Sequence, residues 1–442
     1  MTADRTRTED ATAITVMTLD PGHFHAALLQ KTMCAGVSPR VYVYAPAGPD
    51  VEAHLQRLEQ FNTRPEQPTH WHPIVYTGPD YVATMLKQAP GNLVVISGVN
   101  SRKTGYVHTA VQAGFHVLVD KPMCITTQGW QQLKDAFAAA QQRGLSIYDI
   151  MTARHEITSL LFREVVNTPR VFGTLQSGSA DDPAVVKHSA HHLYKYVAGR
   201  PLTRPAWYFD VAQQGEGIVD VTTHLVDVVL WECFPDQAID YATDVTMVSA
   251  RRWPTVISRA GFTKVTGLSA FPAMLQPALD AQGSLPYSCN GEIVFRVKGI
   301  YAKVMVQWDF EAPEGEGDTH ASTTRGTKSI VRIRQGKAQN YRPEVYIEPT
   351  RPGDMEEVGV ALRQTVAALQ SRYPGVGLQR HAHEWQITVP EVSRIGHEAH
   401  FGRVFEKYVQ YLQHGTMPAW EVPNMLTKYF ITTQGLLLAE QH

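Results

Sequence analysis

A lysine stands at the end of an apolar stretch, in a position suited to stabilising negative charge. The run His116–Val119 is followed by Asp120-Lys121-Pro122, and Pro122 disfavours a helical backbone at Lys121 and holds it extended. An ammonium group fixed in this way can stabilise an alkoxide as it forms, which is often the largest contribution to catalysis. We therefore predict Lys121 to be a catalytic residue at the end of a strand.

A histidine and two aspartates follow in the segment that begins at Gly215. Asp220 and His224 are four residues apart and Asp227 follows three residues later, so on a helix the three side chains share one face. An imidazole, with an ordinary pKa of about 6.5, suits a general base at neutral pH. An adjacent carboxylate can orient the ring. This arrangement suits proton transfer by His224, with Asp220 to orient His224 or the substrate, although Asp220 could instead cap a helix and His224 could be a packed histidine.

The first 150 residues alternate between short apolar runs and helix-like stretches. Strand candidates are found at residues 14–19, 41–44, 92–97, 117–119 and 145–150, and helix candidates at 24–33, 104–113 and 127–143. Short apolar runs separated by helices are typical of a parallel sheet covered on both faces. This pattern predicts a doubly wound nucleotide-binding domain. The alternating runs from residue 241 to residue 347 predict an antiparallel sheet after it.

The turn after the first strand is where such a domain holds the pyrophosphate of a dinucleotide. It contains one glycine instead of the usual G-x-G-x-x-G, and its cofactor-binding candidates are Asp20, Pro21, Gly22, His23, Phe24 and His25. The end of the second strand, Tyr44-Ala45-Pro46, has no acidic residue for a ribose and no arginine for a 2′-phosphate. The missing arginine favours NAD, with NADP not excluded.

Composition is that of an ordinary cytoplasmic protein with two domains. The chain has 442 residues, more than one hydrophobic core usually supports, and its net charge of −2 favours neither nucleic acid nor anionic membrane as a partner. Its four cysteines are far apart in sequence, as expected for reduced thiols. The sequence has no apolar stretch of the roughly 18 residues that a membrane span needs. We expect a cytoplasmic location and no membrane or nucleic-acid partner.

With these motifs in view, the chain resembles the Gfo/Idh/MocA family of NAD(P)-dependent oxidoreductases. Asp120-Lys121-Pro122 is similar to its Glu-Lys-Pro hallmark, and Gly215–His224 to its G-G-G-x-x-x-D-x-x-x-H segment. Asn100 and His108 match its fourth-strand pattern. The remainder resembles a subgroup with a distinctive C-terminal region, through residues 20–25, 317–320, 396–401 and 421–426.

The resemblance implies a fold, an activity and an assembly. The fold is a Rossmann domain at 14–152, after a flexible tail at 1–13, and a C-terminal α+β domain at 153–442 with a large open antiparallel sheet. The activity is NAD-dependent oxidation of a secondary hydroxyl of a sugar or glycoside in carbohydrate catabolism, with the 3-hydroxyl as the subgroup's position. Lys121 and His224 share proton transfer and alkoxide stabilisation, and Asn100 and Lys121 join the cofactor-binding residues. Family members commonly pair through the sheet, so a homo-oligomer, a dimer or a tetramer, is expected.

Substrate-binding candidates lie in three further segments. They are Arg154, His155, His192, Lys195, Trp207 and His320. If residues 187–195 are helical, His192 and Lys195 lie on one face, although a solvated helix is an alternative, as is a domain hinge for Arg154 and His155. Trp207 offers a platform for a sugar ring. His320 falls in residues 312–326, which are rich in Gly, Glu and Thr and predict a loop.

Histidine is unusually frequent, with 19 residues, and this raises metal binding as an alternative. The clusters are His188/His191/His192, His381/His383 and His397/His400. None has the H-E-x-x-H spacing of a zinc protease, so we assign no metal ligands. A metal-dependent hydrolase or lyase is the second interpretation, and a catalytically silent NAD-binding sensor is the third.

Overall fold

The structure is a computed structural model that describes residues 14–197 and 200–441. The tail predicted at 1–13 lies outside the described residues. Two compact units result, and both are discontinuous in sequence. The N-terminal unit contains the chain to Met123, Gln131–Thr152 and Gly396–Pro418, and the C-terminal unit contains Cys124–Trp130, Ala153–Ile395 and the chain from Ala419.

Strands and helices alternate through the first third of the chain, and strands dominate the middle. The strands are β1 Val16–Leu19, β2 Arg40–Ala45, β3 His72–Thr77, β4 Leu93–Ile96, β5 His116–Asp120, β6 Ile147–Ile150, β7 Val185–Tyr194, β8 Tyr196–Val197, β9 Arg200–Pro201, β10 Val245–Ile257, β11 Leu285–Val297, β12 Ile300–Glu311, β13 Thr319–Arg325, β14 Ser329–Gln335, β15 Glu344–Pro349, β16 Gly377–Arg380 and β17 Trp385–Thr388. The helices are α1 His25–Leu28, α2 Pro49–Thr63, α3 Tyr81–Gln88, α4 Asn100–Gln112, α5 Thr127–Gln142, α6 Ile157–Val166, α7 Pro169–Phe172, α8 Val211–Gln214, α9 Thr222–Cys233, α10 Arg259–Thr266, α11 Met355–Leu369, α12 His397–His414 and α13 Glu421–Ala439.

The N-terminal unit is built on a six-stranded parallel sheet in the order β3-β2-β1-β4-β5-β6. Strands β1, β4 and β6 are buried along their whole length, as expected for apolar runs covered on both faces. The strand order is that of the doubly wound dinucleotide-binding fold. The Rossmann fold predicted from the sequence is confirmed.

Helix α1 is much shorter than the predicted helix from Phe24 to Met33. Regular helix ends at Leu28. The backbone oxygens of Gln30 and Lys31 accept hydrogen bonds from the Trp71 indole at 2.7 Å and the Arg64 guanidinium at 2.6 Å. These side chains engage the carbonyls that a further helical turn would need, so tertiary contacts override local propensity.

The C-terminal unit is built on a nine-stranded sheet in the order β10-β11-β12-β7-β13-β14-β15-β17-β16. The pairing of β7 with β12 is parallel and the other pairings are antiparallel. The sheet is therefore mixed, while the predicted large sheet of an α+β domain is confirmed. Strand β12 alternates between buried and half-buried residues along most of its length, which is the pattern of a sheet with one covered face.

Two sequence-based interpretations of this sheet were wrong. Residues 187–195 are not helical, because β7 pairs with β12 on one side and with β13 on the other. Residues 319–325, part of the predicted loop, form β13 itself. The strand-forming residues Val185 and Val186 start β7, and the ladder bonds on both edges outweigh the helical spacing of its histidines.

Helices cover the buried face of this sheet in two main clusters. Helices α6 and α11 pack against β14 and β15, and α9 packs with the β11 and β12 side chains Ile293 and Val304. None of the described helices is long and apolar enough to span a membrane.

Candidate functional site

The turn after β1 is held by contacts to helix α4. Asp20 has a left-handed backbone, with φ of 49°. Its buried carboxylate accepts hydrogen bonds from the Arg102 guanidinium at 3.0 Å and the Tyr106 hydroxyl at 2.8 Å. Among the predicted cofactor-binding residues, Asp20 therefore shapes the turn through partners within the protein.

Gly22 allows the turns after β1 and β4 to approach each other closely. A Cβ atom on Gly22 would lie 3.4 Å from the Cα of Gly98 and 3.3 Å from Oδ2 of Asp50. The backbone N–H of His23 donates to the Ser97 oxygen at 3.1 Å. A side chain at Gly22 would crowd both neighbours, and bare backbone at this turn is what close approach of a pyrophosphate requires. The turn therefore fits a dinucleotide.

The other predicted residues of this turn have different environments. Pro21 and His25 are buried, while the Phe24 ring is exposed and lies 5.4 Å from the Arg57 guanidinium. Asn100 is buried in the first turn of α4. The structure thus brings these predicted cofactor-binding residues to the carboxyl ends of β1 and β4, where open α/β sheets bind ligands.

The backbone at Lys121 is fixed by a second lysine. The buried ammonium of Lys103, on α4, donates to the backbone oxygens of Asp120 at 2.9 Å and Lys121 at 3.1 Å. The Lys121–Pro122 peptide bond is cis. Lys121 is half-buried directly after β5, at a strand end as predicted. The sequence analysis missed Lys103, because its polar neighbours Ser101, Arg102 and Thr104 give no sign that it is buried.

The Asp120 carboxylate is surrounded by polar groups. Its Oδ2 lies 3.0 Å from Nδ1 of His25 and 3.4 Å from Nδ1 of His23, and it accepts a hydrogen bond from the Ser97 hydroxyl at 3.1 Å. Burial alone would raise the pKa of Asp120, but His25 and Lys103 hold it well below its usual range. Burial lowers the pKa of His25 well below its usual value, against the opposing effect of Asp120. The carboxylate is therefore ionised near neutral pH.

In the C-terminal unit, Asp220 lies in a turn and not on the helix that carries His224. Helix α9 begins at Thr222, and five residues earlier the backbone of Gly217 is pressed against β11. A Cβ on Gly217 would lie 1.7 Å from the Cys289 carbonyl oxygen, and the Gly217 N–H donates to the Ser288 oxygen at 3.0 Å. The prediction that Asp220 and His224 both lie on a helix is therefore wrong for Asp220, which lies in the turn before α9. The Gln214 amide donates to the buried Asp220 carboxylate at 3.0 Å, and His224 is half-buried in the first turn of α9.

Asp227 does not join these two residues, because it belongs to a separate group of charges. We call this group the buried ion cluster; it consists of Arg154, Asp227, Glu421 and Lys428. The Arg154 guanidinium donates to both Asp227 oxygens at 2.7 Å and to Glu421 at 2.8 Å, and Lys428 donates to Asp227 at 2.8 Å. Burial would raise the pKa of Asp227, but Arg154 and Lys428 lower it below its usual range. Arg154, predicted to bind substrate, is thus bonded to carboxylates of the protein itself.

A second group of charges joins the end of β7 to the start of β13. We call it the Asp318 cluster; it consists of Asp318, His191, His192 and Lys195. The Asp318 carboxylate lies 2.5 Å from Nζ of Lys195, 3.0 Å from Nδ1 of His192 and 3.3 Å from Nδ1 of His191. Burial would raise the pKa of Asp318, but its hydrogen bond with His191 and the charge of Lys195 lower it. Two predicted substrate-binding residues, His192 and Lys195, therefore share one carboxylate.

His320, another predicted substrate-binding residue, lies beside this cluster on β13. Its Nδ1 is 3.0 Å from the Ser189 hydroxyl, on the neighbouring strand. Burial, with Lys187 and His191 nearby, lowers the pKa of His320 to about 3. The ring is therefore neutral at physiological pH and can donate or accept one hydrogen bond at each nitrogen according to its tautomer.

Several charged residues influence the pKa of the buried Tyr208 phenol. Burial raises the pKa of Tyr208, Arg204 opposes this, and the charges of Asp220 and Asp318 add to it. The Arg204 guanidinium lies 4.6 Å from the Tyr208 ring and 5.2 Å from the Trp308 ring. One region of the C-terminal unit thus combines carboxylates, imidazoles, an ammonium and aromatic rings.

The remaining predicted substrate-binding residues are half-buried. Trp207 packs against the apolar cluster beneath this region, and its Nε1 is buried with no hydrogen-bond partner among the described residues. His155 ends the short 3-10 turn that also contains Arg154. Sequence analysis did not select Asp318 or Arg204 as site residues and named His191 only within a histidine cluster, although Asp318 lies in Gly317–His320, a segment singled out by resemblance.

Within the described part of the chain, none of the three histidine clusters noted in the sequence contributes to a set of three potential ligand atoms within 4.8 Å of one another. His191 and His192 contact Asp318, and Nε2 of His381 lies 3.0 Å from Gln386. Among the described residues, one set of three potential ligand atoms lies mutually within 4.8 Å, and it comes from His23, His25 and Asp120. This set draws on none of the clusters that suggested a hydrolase.

Family models match most of the chain. Residues 161–440 match the family described as "Putative oxidoreductase C terminal domain", and residues 47–148 match the "Oxidoreductase family, NAD-binding Rossmann fold". The chain therefore contains an NAD(P)-binding Rossmann domain. Among curated proteins, the comparison found no significant match.

Solved structures extend these similarities. A crystal structure described as a putative oxidoreductase from Parabacteroides merdae is 49% identical, with a TM-score of 0.94 over 97% of this chain and 98% of that one. A levoglucosan dehydrogenase in complex with NADH is 11% identical, with a TM-score of 0.60 over 97% of each chain. A 3-ketoreductase from Actinomadura kijaniata, in complex with TDP-benzene and NADP, is 13% identical, with a TM-score of 0.55 over 95% of this chain and 96% of that one. At 11% and 13% identity, the levoglucosan dehydrogenase and the 3-ketoreductase show a similarity of fold alone.

Proposed function

We propose that this chain, which belongs to the Gfo/Idh/MocA family of oxidoreductases, is an NAD-dependent sugar or glycoside dehydrogenase. Its C-terminal domain is similar to that of the Parabacteroides protein. The observation that carries this proposal is the Asp318 cluster, in which one carboxylate lies 2.5 Å from Nζ of Lys195 and 3.0 Å from Nδ1 of His192. Carboxylate, imidazole and ammonium groups beside aromatic rings suit a ligand with many hydroxyls and one apolar ring face.

The reaction removes a hydride from the carbon and a proton from its hydroxyl, which leaves a ketone. A bound nicotinamide supplies the hydride acceptor. We assign proton transfer to His224, stabilisation of the forming alkoxide to Lys121, and orientation of the substrate or of His224 to Asp220. Two contacts support these roles: Lys103 fixes the backbone at Lys121, and Gln214 holds the Asp220 carboxylate.

His192, Lys195 and His320 are the proposed substrate-binding residues with the best support. His192 and Lys195 are oriented by Asp318, and His320 by Ser189. The substrate-binding roles of Trp207 and His155 remain proposals, which the partial exposure of both side chains supports. The contacts of Arg154 favour a structural role, because its guanidinium donates hydrogen bonds to two buried carboxylates.

The position of the Asp50 carboxylate supports a preference for NAD over NADP. Asp50 lies near the start of α2, shortly after the end of β2, where no acidic residue is found. The Oδ2 atom of Asp50 would lie 3.3 Å from a Cβ atom placed on Gly22. A carboxylate at this turn can accept hydrogen bonds from a ribose 2′-hydroxyl and repels a 2′-phosphate. We therefore propose NAD as the preferred cofactor.

The position of oxidation is the finest part of the proposal. The subgroup that the C-terminal region resembles is associated with oxidation of the ring 3-hydroxyl, and similar folds occur in a levoglucosan dehydrogenase and a 3-ketoreductase. A ketone at this position acidifies the neighbouring C–H bond and prepares a glycoside for elimination by a partner lyase. A role in carbohydrate catabolism is consistent with this chemistry.

A substrate panel tests the proposal. Enzyme is incubated with NAD or NADP and with glucosides, galactosides, free hexoses and inositols, while the reduced cofactor is followed and the keto position is mapped by NMR. We expect a 3-keto glycoside, formed faster with NAD than with NADP. Activity only on inositols or 2-hydroxy acids would reject the glycoside proposal, and cofactor binding without any turnover would favour a sensor.

Two variants identify the catalytic residues in the same assay. Lys121→Ala and His224→Ala should each lower the turnover number by about 10²–10⁴-fold, which is the usual range for general acid–base catalysis. Circular dichroism should show an unchanged fold. Near-normal turnover in either variant would remove that residue from its proposed role.

We also propose a cytoplasmic homo-oligomer, a dimer or a tetramer. Strand β10 leaves much of its length exposed, including Val248 and Val256, and exposed apolar residues of a sheet favour burial against a partner. The four cysteines are free thiols, as is usual in a reducing compartment. Light scattering that reports 49.2 kDa at working concentrations would contradict the oligomer.

A further inference from the structure

Three potential metal ligands meet at the carboxyl end of the parallel sheet, although two of them lie far from the third in sequence. Nδ1 of His25 is 3.0 Å from Asp120 Oδ2, and Nδ1 of His23 is 3.4 Å from the same oxygen. The ligand atoms of the three residues all lie within 4.8 Å of one another. His23 lies in the turn between β1 and α1, His25 is the first residue of α1, and Asp120 is the last residue of β5.

These distances agree with those of a metal centre. In a tetrahedral zinc site with bond lengths of about 2.0–2.1 Å, neighbouring ligand atoms are about 3.3 Å apart. Two imidazoles and a carboxylate form a common donor set for first-row divalent ions. The His23 and His25 rings are also perpendicular, with centroids 3.9 Å apart, so their nitrogen atoms can converge without stacking of the rings.

Exposure differs among the three ligands in a way that leaves one side open. The Asp120 side chain is 2% exposed and that of His25 is 11%, while that of His23 is 29%. Any further coordination position would therefore be expected beside His23, for water or another small ligand.

We propose that His23, His25 and Asp120 form a binding site for a divalent transition-metal ion, with Zn²⁺ as the reference ion. The ion would join the β1–α1 turn to the end of β5 and so fix the backbone that carries Lys121. The Lys103 ammonium lies 4.0 Å from Asp120 Oδ2, and its charge opposes a second cation. We therefore expect weaker binding than in a closed structural zinc site. The site does not depend on the proposed dehydrogenase activity.

The test uses the full-length protein without sugar or dinucleotide. After treatment with a chelator and its removal, ZnCl₂ is titrated by calorimetry, and thermal unfolding is followed with and without ZnCl₂. We expect one ion per chain and a higher Tm with zinc, because an ion that binds the folded state stabilises it. A stoichiometry well below one, or no change in Tm, would overturn the proposal.

Variants locate the ion. His23→Ala removes the most exposed ligand and Asp120→Asn keeps the shape of the carboxylate, and each should weaken zinc binding at least tenfold while circular dichroism stays unchanged. The matched control is His397→Ala, because the His397 ring is 6.5 Å from the His25 ring yet outside the set of three ligands. Equal zinc affinity in His23→Ala and wild type, or equal loss in His397→Ala, would contradict the site. NAD binding to the wild-type protein is measured separately, so that failure of the metal proposal can be distinguished from failure of the proposed dehydrogenase function.

Discussion

The C-terminal unit contains two groups of charges with similar chemistry and different exposure. In the buried ion cluster, no side chain is more than 4% exposed, and the Arg154 guanidinium donates to two carboxylates of the cluster, Asp227 and Glu421. In the Asp318 cluster, one carboxylate serves three basic groups, and Lys195 is 32% exposed. The first arrangement holds helices α9 and α13 and the turn before α6 together, while the second leaves Lys195 partly exposed, as its proposed substrate-binding role requires.

This difference favours a structural role for Arg154 and supports the proposed substrate-binding role of His192 and Lys195, three residues that the sequence analysis treated alike. Buried charges cost desolvation free energy unless each is paired, so the buried ion cluster is expected to matter for folding. The Asp318 cluster retains access to water, so its loss should alter binding more than folding.

The largest expected effect is on stability. Arg154→Leu leaves Asp227 and Glu421 buried with fewer partners, and breaking a buried charge group typically costs about 3–5 kcal/mol. The free energy of unfolding from urea titrations checks this. Arg342→Leu is the matched control, since its contact to Glu391 at 2.7 Å is exposed, and its cost should stay below about 1 kcal/mol. Equal losses in the two variants would break the comparison.

The second prediction concerns pH. The pKa of His320 is lowered to about 3, so below about pH 6.5 the unfolded chain binds a proton that the folded protein does not. The free energy of unfolding therefore decreases as the pH is lowered, and this residue contributes up to about 1.4 kcal/mol per pH unit until the pH approaches the folded-state pKa. His320→Gln should remove this contribution between about pH 6 and pH 4. Parallel stability curves for variant and wild type would show that His320 is not held neutral.

Some of this architecture could be predicted from sequence because its signals are local. The apolar runs of β1, β4 and β6 and the alternation in β12 revealed both sheets. Helix α1 was overpredicted because the side chains that engage Gln30 and Lys31 come from Arg64 and Trp71, which no local pattern includes. Strand β7 was missed because its pairing with β12 and β13 is set by residues more than a hundred positions away.

The candidate site was predictable to a similar extent and for the same reason. Lys121 and His224 were found through motifs, whereas the partners that define the local chemistry are distant in sequence. Asp318 contacts His192 across 126 positions, and Asp120 contacts His25 across 95. Arg154 looked like a binding residue because spacing cannot reveal that Asp227 and Glu421 bind its guanidinium.

The most direct test of the comparison is binding of the preferred glycoside from the substrate panel to Asp318→Asn, by calorimetry with NAD present. The substitution keeps the shape of the side chain and removes the charge that orients Lys195, His191 and His192. Hydrogen bonds to charged groups contribute about 1.5–3 kcal/mol, so the glycoside Kd should rise about tenfold to a hundredfold, with a change in unfolding free energy below that of Arg154→Leu. An unchanged Kd, or a loss of stability equal to that of Arg154→Leu, would contradict a substrate-binding role for the Asp318 cluster.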